Sequence, residues 1–133
     1  MLIYEVYLFV LSNLRHYFFA NMNEVKIIRA QHLRKRFNEL HREFQQQGKP
    51  YTMTEICRII STEPAPRFYV TEEYACRCMN SIRSGQCASR QLRDLYRRYK
   101  RTGDIIKAIN SPAPSYYLSG IRIYRILIET IRQ

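Results

Sequence analysis

Arg90, Arg93, Arg97, Arg98, Lys100 and Arg101 are the residues whose types and spacing best suit a defined chemistry. Most recur at intervals of three and four, so on a helix they share one side, opposite the apolar stripe of Ala88, Leu92, Leu95, Tyr96 and Tyr99. A row of guanidinium and ammonium groups at that pitch binds phosphate oxygens, the arginines in bidentate fashion. Arg34, Lys35 and Arg36 form a smaller cluster with the same chemistry. Residues 77 to 101 hold eight basic groups against Asp94 alone, so the positive charge is concentrated rather than spread. The competing reading of this stretch is a solvated outer face, and the sequence leaves the two level.

No other reactive constellation accompanies the cations. The chain has no glycine-rich phosphate loop, no nucleophile elbow and no His-Glu-x-x-His. Glu72 and Glu73 are adjacent, diverge on a helix, and suit the positive end of a helix better than acid–base work. Cys57, Cys76, Cys78 and Cys87 include no C-x-x-C pair, and His16, His32 and His41 are scattered, so there is no zinc pattern. The thiols are expected to be reduced and partly buried. The expectation is a non-enzymatic protein without metal or cofactor.

Composition sets the partner class. The 133 residues make one domain by size, with an ordinary 46% of hydrophobic residues. Lys and Arg number 22 against 11 Asp and Glu, for a net charge of +11. Such an excess favours polyanions, and nucleic acid, DNA ahead of RNA, is the expected partner. The alternative is a structural or adaptor protein that meets an acidic protein, or a second copy of itself, through a helical stripe. Leu2 to Leu14 is apolar but interrupted by Glu5, too short for a membrane span and without signal-peptide anatomy, so no membrane partner and a cytoplasmic location are expected.

The elements that position these groups follow from periodicity and breakers. Ile27, Ala30, Leu33, Phe37, Leu40 and Phe44 outline a long helix over roughly 23 to 47, capped by Asn23 and closed by Gly48 and Pro50, with Lys26, Arg29, Arg34, Lys35, Arg36 and Arg42 on its other faces. Residues 1 to 21 are either a strand or helix packed on the core or an extension upstream of a start at Met22. Thr52-Met53-Thr54-Glu55 has the capping-box form and leads into Ile56, Ile59 and Ile60.

Pro64-Ala65-Pro66-Arg67-Phe68-Tyr69-Val70-Thr71 then returns as Pro112-Ala113-Pro114-Ser115-Tyr116-Tyr117-Leu118-Ser119. In each copy Pro64 and Pro66, or Pro112 and Pro114, end the preceding helix, and Thr71 or Ser119 caps the next. The fold class predicted is all-α: a compact helical domain over 22 to 133, with two repeated helix-(Pro-Ala-Pro loop)-helix units at 54–84 and 103–132 and one long helix. Helices are expected at 71–84, over Gln86 to Arg101, and from Ser119 to Arg132, where Arg122, Arg125, Glu129 and Arg132 outvote the β-branched content. Ala75, Cys78, Met79 and Ile82 are the expected buried face of the first of these.

The pairs Phe68-Tyr69 and Tyr116-Tyr117 admit two readings, anchors that wedge the loops between helices or platforms that stack bases, and the anchor reading is preferred. Arg67 would cover its loop or pair with Glu63 or Glu72. A helix-turn-helix reader is disfavoured, because the connection is roughly ten residues rather than three or four. The motif Pro-Ala-Pro-Arg-Phe-Tyr-Val-Thr, followed by Glu72 and Glu73 and by Leu95-Tyr96-Arg97-Arg98-Tyr99, resembles a group of small bacterial proteins associated with mobile or phage-like elements. The similarity covers about residues 54 to 101 and not the N-terminal segment. It implies a mobile-element accessory protein and carries over no catalytic or binding residue.

Overall fold

The computed structural model describes residues 2–87 and 89–132, with side chains described over 24–87 and 89–129. It is all-α: α1 (Leu2–Gln46), α2 (Met53–Ser61), α3 (Glu72–Arg83), α4 (Arg90–Thr102), α5 (Ile105–Ile109) and α6 (Gly120–Arg132), with no strand among the described residues. Packing runs in two groups: α1, α2 and α6 lie against one another, whereas α4 packs on α3 and α5, and α3 also on α5.

α1 is longer than its apolar stripe predicts. The helix starts at Leu2, so Asn23 lies inside it rather than at its cap, while Gly48, at φ 69°, follows its C-terminal end. Whether residues 2–21 pack on the core falls on side chains outside those described, and Ala88 of the predicted apolar stripe lies outside the described residues. Leu33 and Leu40 are buried and Phe37 and Phe44 pack beside them. Ile27 does not extend this stripe and is 56% exposed. Six residues before Leu33 the helix has turned about 120° away, so Val25 and Ile28 make the contacts instead.

The short helices carry the caps their sequences announce. Thr52 and Glu55 exchange both bonds of a capping box at the start of α2, and the Thr71 hydroxyl accepts from the Tyr74 amide at the start of α3. Helix α4 begins at Arg90, later than Gln86, because Ser89 caps it by accepting from the Leu92 amide. Gly103 ends α4 in the left-handed region at φ 70°, and Asp104 caps α5. α6 is helical despite its isoleucines, and the Ser119 hydroxyl accepts from the Arg122 amide at its start. Gly120 lets that end of α6 lie directly on α2, since a Cβ there would sit 3.1 Å from the Arg58 Cα.

The two Pro-Ala-Pro segments pair with each other. Ala65 and Ala113 each donate to the other's carbonyl at 2.9 Å. In extended backbone alternate residues face opposite ways, so both alanines are buried while Pro64, Pro66, Pro112 and Pro114 face out. Proline has no N–H to continue the ladder, which holds the pairing to an isolated bridge. Beyond it Tyr69 stacks on Tyr116 at 5.9 Å and Phe68 on Tyr117 at 6.4 Å. Phe68, Tyr69 and Tyr116 are buried, which leaves those rings no free face for a base. The Tyr69 hydroxyl reaches His32 Nδ1 at 2.6 Å and ties the first loop to α1.

Candidate nucleic-acid interface

Helix α4 holds its cations outward because Leu92 and Leu95 are buried on its inner side, with Tyr96 and Tyr99 partly buried beside them. Arg90, Arg93, Arg97, Lys100 and Arg101 are exposed and Arg98 is half-buried. The six predicted cations of this helix are therefore brought together on one side of one element.

Asp94 is the only acid on the helix, and its carboxylate is heavily engaged. One oxygen accepts from the Tyr117 hydroxyl at 2.7 Å, and the other lies 3.3 Å from Arg97 Nη1. Arg90 Nε approaches at 3.9 Å. Burial and the bond to Asp94 push the Tyr117 phenol well above its usual range, so it stays protonated and keeps donating. Tyr117 also takes the left-handed backbone at φ 58°, which costs a residue with a Cβ on the order of 1 kcal/mol. Three contacts hold it there: its amide donates to the Ser115 hydroxyl at 2.9 Å, its ring stacks on Phe68, and its hydroxyl binds Asp94. The second loop thus fixes where α4 sits.

Among the described residues, Arg93, Arg98 and Arg101 have no carboxylate within salt-bridge distance. Arg90 lies over the Tyr117 ring at 5.4 Å and Lys100 over the Tyr96 ring at 4.7 Å, contacts that steady the side chains without cancelling their charge. The face can therefore take several phosphates in a row.

The second cluster behaves differently. Arg34 and Lys35 are exposed on α1, but Arg36 is a clamp: Nε and Nη2 donate to the two oxygens of Glu63 at 2.8 and 2.7 Å, and Nη1 to Glu39 at 3.2 Å. Those bonds hold the guanidinium charged well above its ordinary range. Arg36 is thereby committed within the fold and takes Glu63, so of the alternatives for Arg67 the cover over its own loop is the one observed. Arg67 instead donates from Nε to the Phe68 carbonyl and lies over the Tyr69 ring at 5.8 Å. The cluster sits on α1, which packs on α2 and α6 and not on α4.

Sequence reasoning places Lys26 and Arg29 on solvent faces; Lys26 is exposed, but Arg29 is half-buried, and both line a groove of about 230 Å³ between α1 and α3. Its floor is Tyr69, Val70 and Thr71 from the first loop, and Gln91 of α4 stands at its edge. A signal for Arg29 was present: stepping back by four from Leu33, on the core side of α1, gives Arg29, where an apolar residue would be usual.

Cys57 is buried, and burial pushes its thiol up to about 11, so it is an inert core residue. Among the described residues no group of His, Cys, Asp or Glu is arranged to hold a metal, and no helix is long and apolar enough to cross a membrane. No family model, curated protein or solved structure matches the chain.

Proposed function

We propose that this chain is a non-enzymatic nucleic-acid-binding protein of low sequence specificity, an accessory or regulatory factor that acts in the cytoplasm and takes DNA ahead of RNA. In this reading two helix-loop-helix units related by internal repetition, 54–84 and 103–132, and the long helix α1 form a scaffold that presents α4. The observation that carries it is the outer face of α4, where six cations meet a single carboxylate that is already engaged by Tyr117. Such a face follows a phosphate backbone but offers no set of groups fixed for reading base edges, which matches sequence-tolerant binding. The resemblance of residues 54–101 to proteins of mobile elements bears on the accessory role alone and carries no activity.

The test is a fluorescence-polarisation titration with single- and double-stranded DNA and RNA at two salt concentrations. If α4 neutralises about four phosphates, affinity falls about a hundredfold between 50 and 200 mM salt. Replacing Arg93, Arg97 and Lys100 together by Glu removes binding while circular dichroism stays helical. Absence of binding by the wild type at low salt would sink the reading and direct the search to a protein partner.

A further inference from the structure

The groove between α1 and α3 has the features of a ligand site. Val25, Lys26 and Arg29 form one wall, Glu73, Tyr74 and Arg77 the other, and Tyr69, Val70 and Thr71 the floor. α1 and α3 do not pack on each other here, so the groove is a gap between elements held apart by the first loop. Its volume of about 230 Å³ lies below the roughly 300–1,000 Å³ of cofactor-sized pockets, and suits one planar ring with a small charged group.

Arg29 is the unusual member. Its Nε is buried and has no hydrogen-bond partner. Among the described residues no carboxylate lies within salt-bridge distance of its guanidinium. A buried donor without an acceptor is costly, and one in a native fold calls for an explanation, a bound group that completes it among them. Burial, and after it the neighbouring Arg122, push the Arg29 pKa down. Lys26 adds a further cation on the same wall, and Arg77 lies over the Tyr74 ring at 5.8 Å.

The other requirement is a surface for a ring. Tyr74 is 45% exposed, whereas Tyr69 is buried in the floor, and Val25 and Val70 complete an apolar slot. Glu73 and Gln91, both lining the groove, offer an acceptor and an amide for the polar edge of such a ring. Gln91 lies in the first turn of α4, next to Arg90 and two residues before Arg93, so the groove adjoins the start of the row of cations on that helix.

We propose that this groove takes one unpaired nucleotide of a single strand, with the base against Tyr74 and the phosphate on Arg29 and Lys26. The proposal rests on the nucleic-acid reading of α4 and refines it. A base enters such a gap only when it is out of a duplex stack, so the protein prefers single strands.

The experiment has two arms. In the first, a short single-stranded DNA and its duplex are titrated against the wild type, Arg29→Gln and Tyr74→Leu, each checked for helicity by circular dichroism. Loss of the stacking contact in Tyr74→Leu, or of the phosphate contact in Arg29→Gln, weakens single-strand binding about tenfold and leaves duplex binding unchanged. Equal single-strand affinity in wild type and both variants overturns the groove while leaving α4 standing. In the second arm, the arginine Nε–H resonances of ¹⁵N-labelled protein are followed as thymidine 5′-monophosphate, thymidine or inorganic phosphate is added, with Arg29→Lys assigning the signal. The Arg29 resonance moves with the monophosphate more than with either part alone. An equal shift with inorganic phosphate, or none with the monophosphate, overturns the assignment. This arm decides the groove even if no oligonucleotide binds and the reading of α4 falls.

Discussion

The two basic clusters, Arg34 to Arg36 on α1 and Arg90 to Arg101 on α4, look alike as sequence and differ as structure. On α1 the acids are near, and Arg36 is gripped by Glu63 and Glu39. On α4 the one acid is shared between Tyr117, Arg97 and Arg90, and cations remain in excess around it. The difference is therefore not in the residue type but in where carboxylates fall in three dimensions. A guanidinium with its own carboxylate holds a fold together, whereas an unneutralised row of them attracts an outside polyanion.

The largest contrast comes from removing one arginine from each cluster. Arg36→Ala strips Glu63 of two charge-assisted hydrogen bonds and loosens α1 from the turn after α2, at a cost of about 2 kcal/mol. Chemical denaturation should show a lower midpoint, with nucleic-acid affinity little changed once the protein is folded. Arg97→Ala, in an exposed pair, should leave the midpoint within about 0.5 kcal/mol. Its affinity falls several-fold and its salt slope becomes shallower by about one. If Arg36→Ala weakened binding more than Arg97→Ala at equal stability, the two clusters would have to exchange roles.

A smaller effect comes from neutralising the shared acid. Asp94→Asn keeps an acceptor for the Tyr117 hydroxyl but removes the charge that Arg90 and Arg97 approach. Stability drops by about 1 kcal/mol as the strained Tyr117 loses part of its anchor. Nucleic-acid affinity rises a few-fold, because the face of α4 gains one net positive charge. A loss of affinity in this variant, with the helix content intact, would show that Asp94 orients α4 more than it shields it.

Much of this fold could be read from the sequence because local signals agree there. The caps at Thr52, Thr71 and Ser119 and the breakers Gly48 and Gly103 stand where the rules of helix ends put them. The clustering of the α4 cations follows from periodicity alone. What the sequence hid depends on contacts between distant segments. The commitment of Arg36 to Glu63 spans 27 residues, and the Tyr117 to Asp94 bond spans 23. The mutual bridge of Ala65 and Ala113 is another such contact, since the repeat shows two similar loops but not that they meet. The place of Arg29 was partly legible, as a cation at a position where the core-facing stripe calls for an apolar side chain.

The smallest effect is a pH dependence that belongs to α1 and not to α4. His32 lies one turn before Arg36, and burial, with Arg67 and Lys35 nearby, pushes its pKa below the ordinary histidine value. Burial pushes the Tyr69 phenol upward, so Tyr69 stays protonated, and its hydroxyl lies 2.6 Å from Nδ1 of the imidazole. On acidification the unfolded chain therefore takes up the His32 proton first, and folding stability falls as pH drops through the histidine range. In α4 there is no histidine, so the positive charge of its face does not change over that range. Denaturation midpoints measured between about pH 7.5 and 5.5 should decline in the wild type and decline less in His32→Gln, which can still accept from Tyr69. Nucleic-acid affinity measured on folded protein over the same range stays level. An affinity that rose as the pH fell would mean that a titrating group on α1 touches the polyanion, and would extend the interface beyond α4.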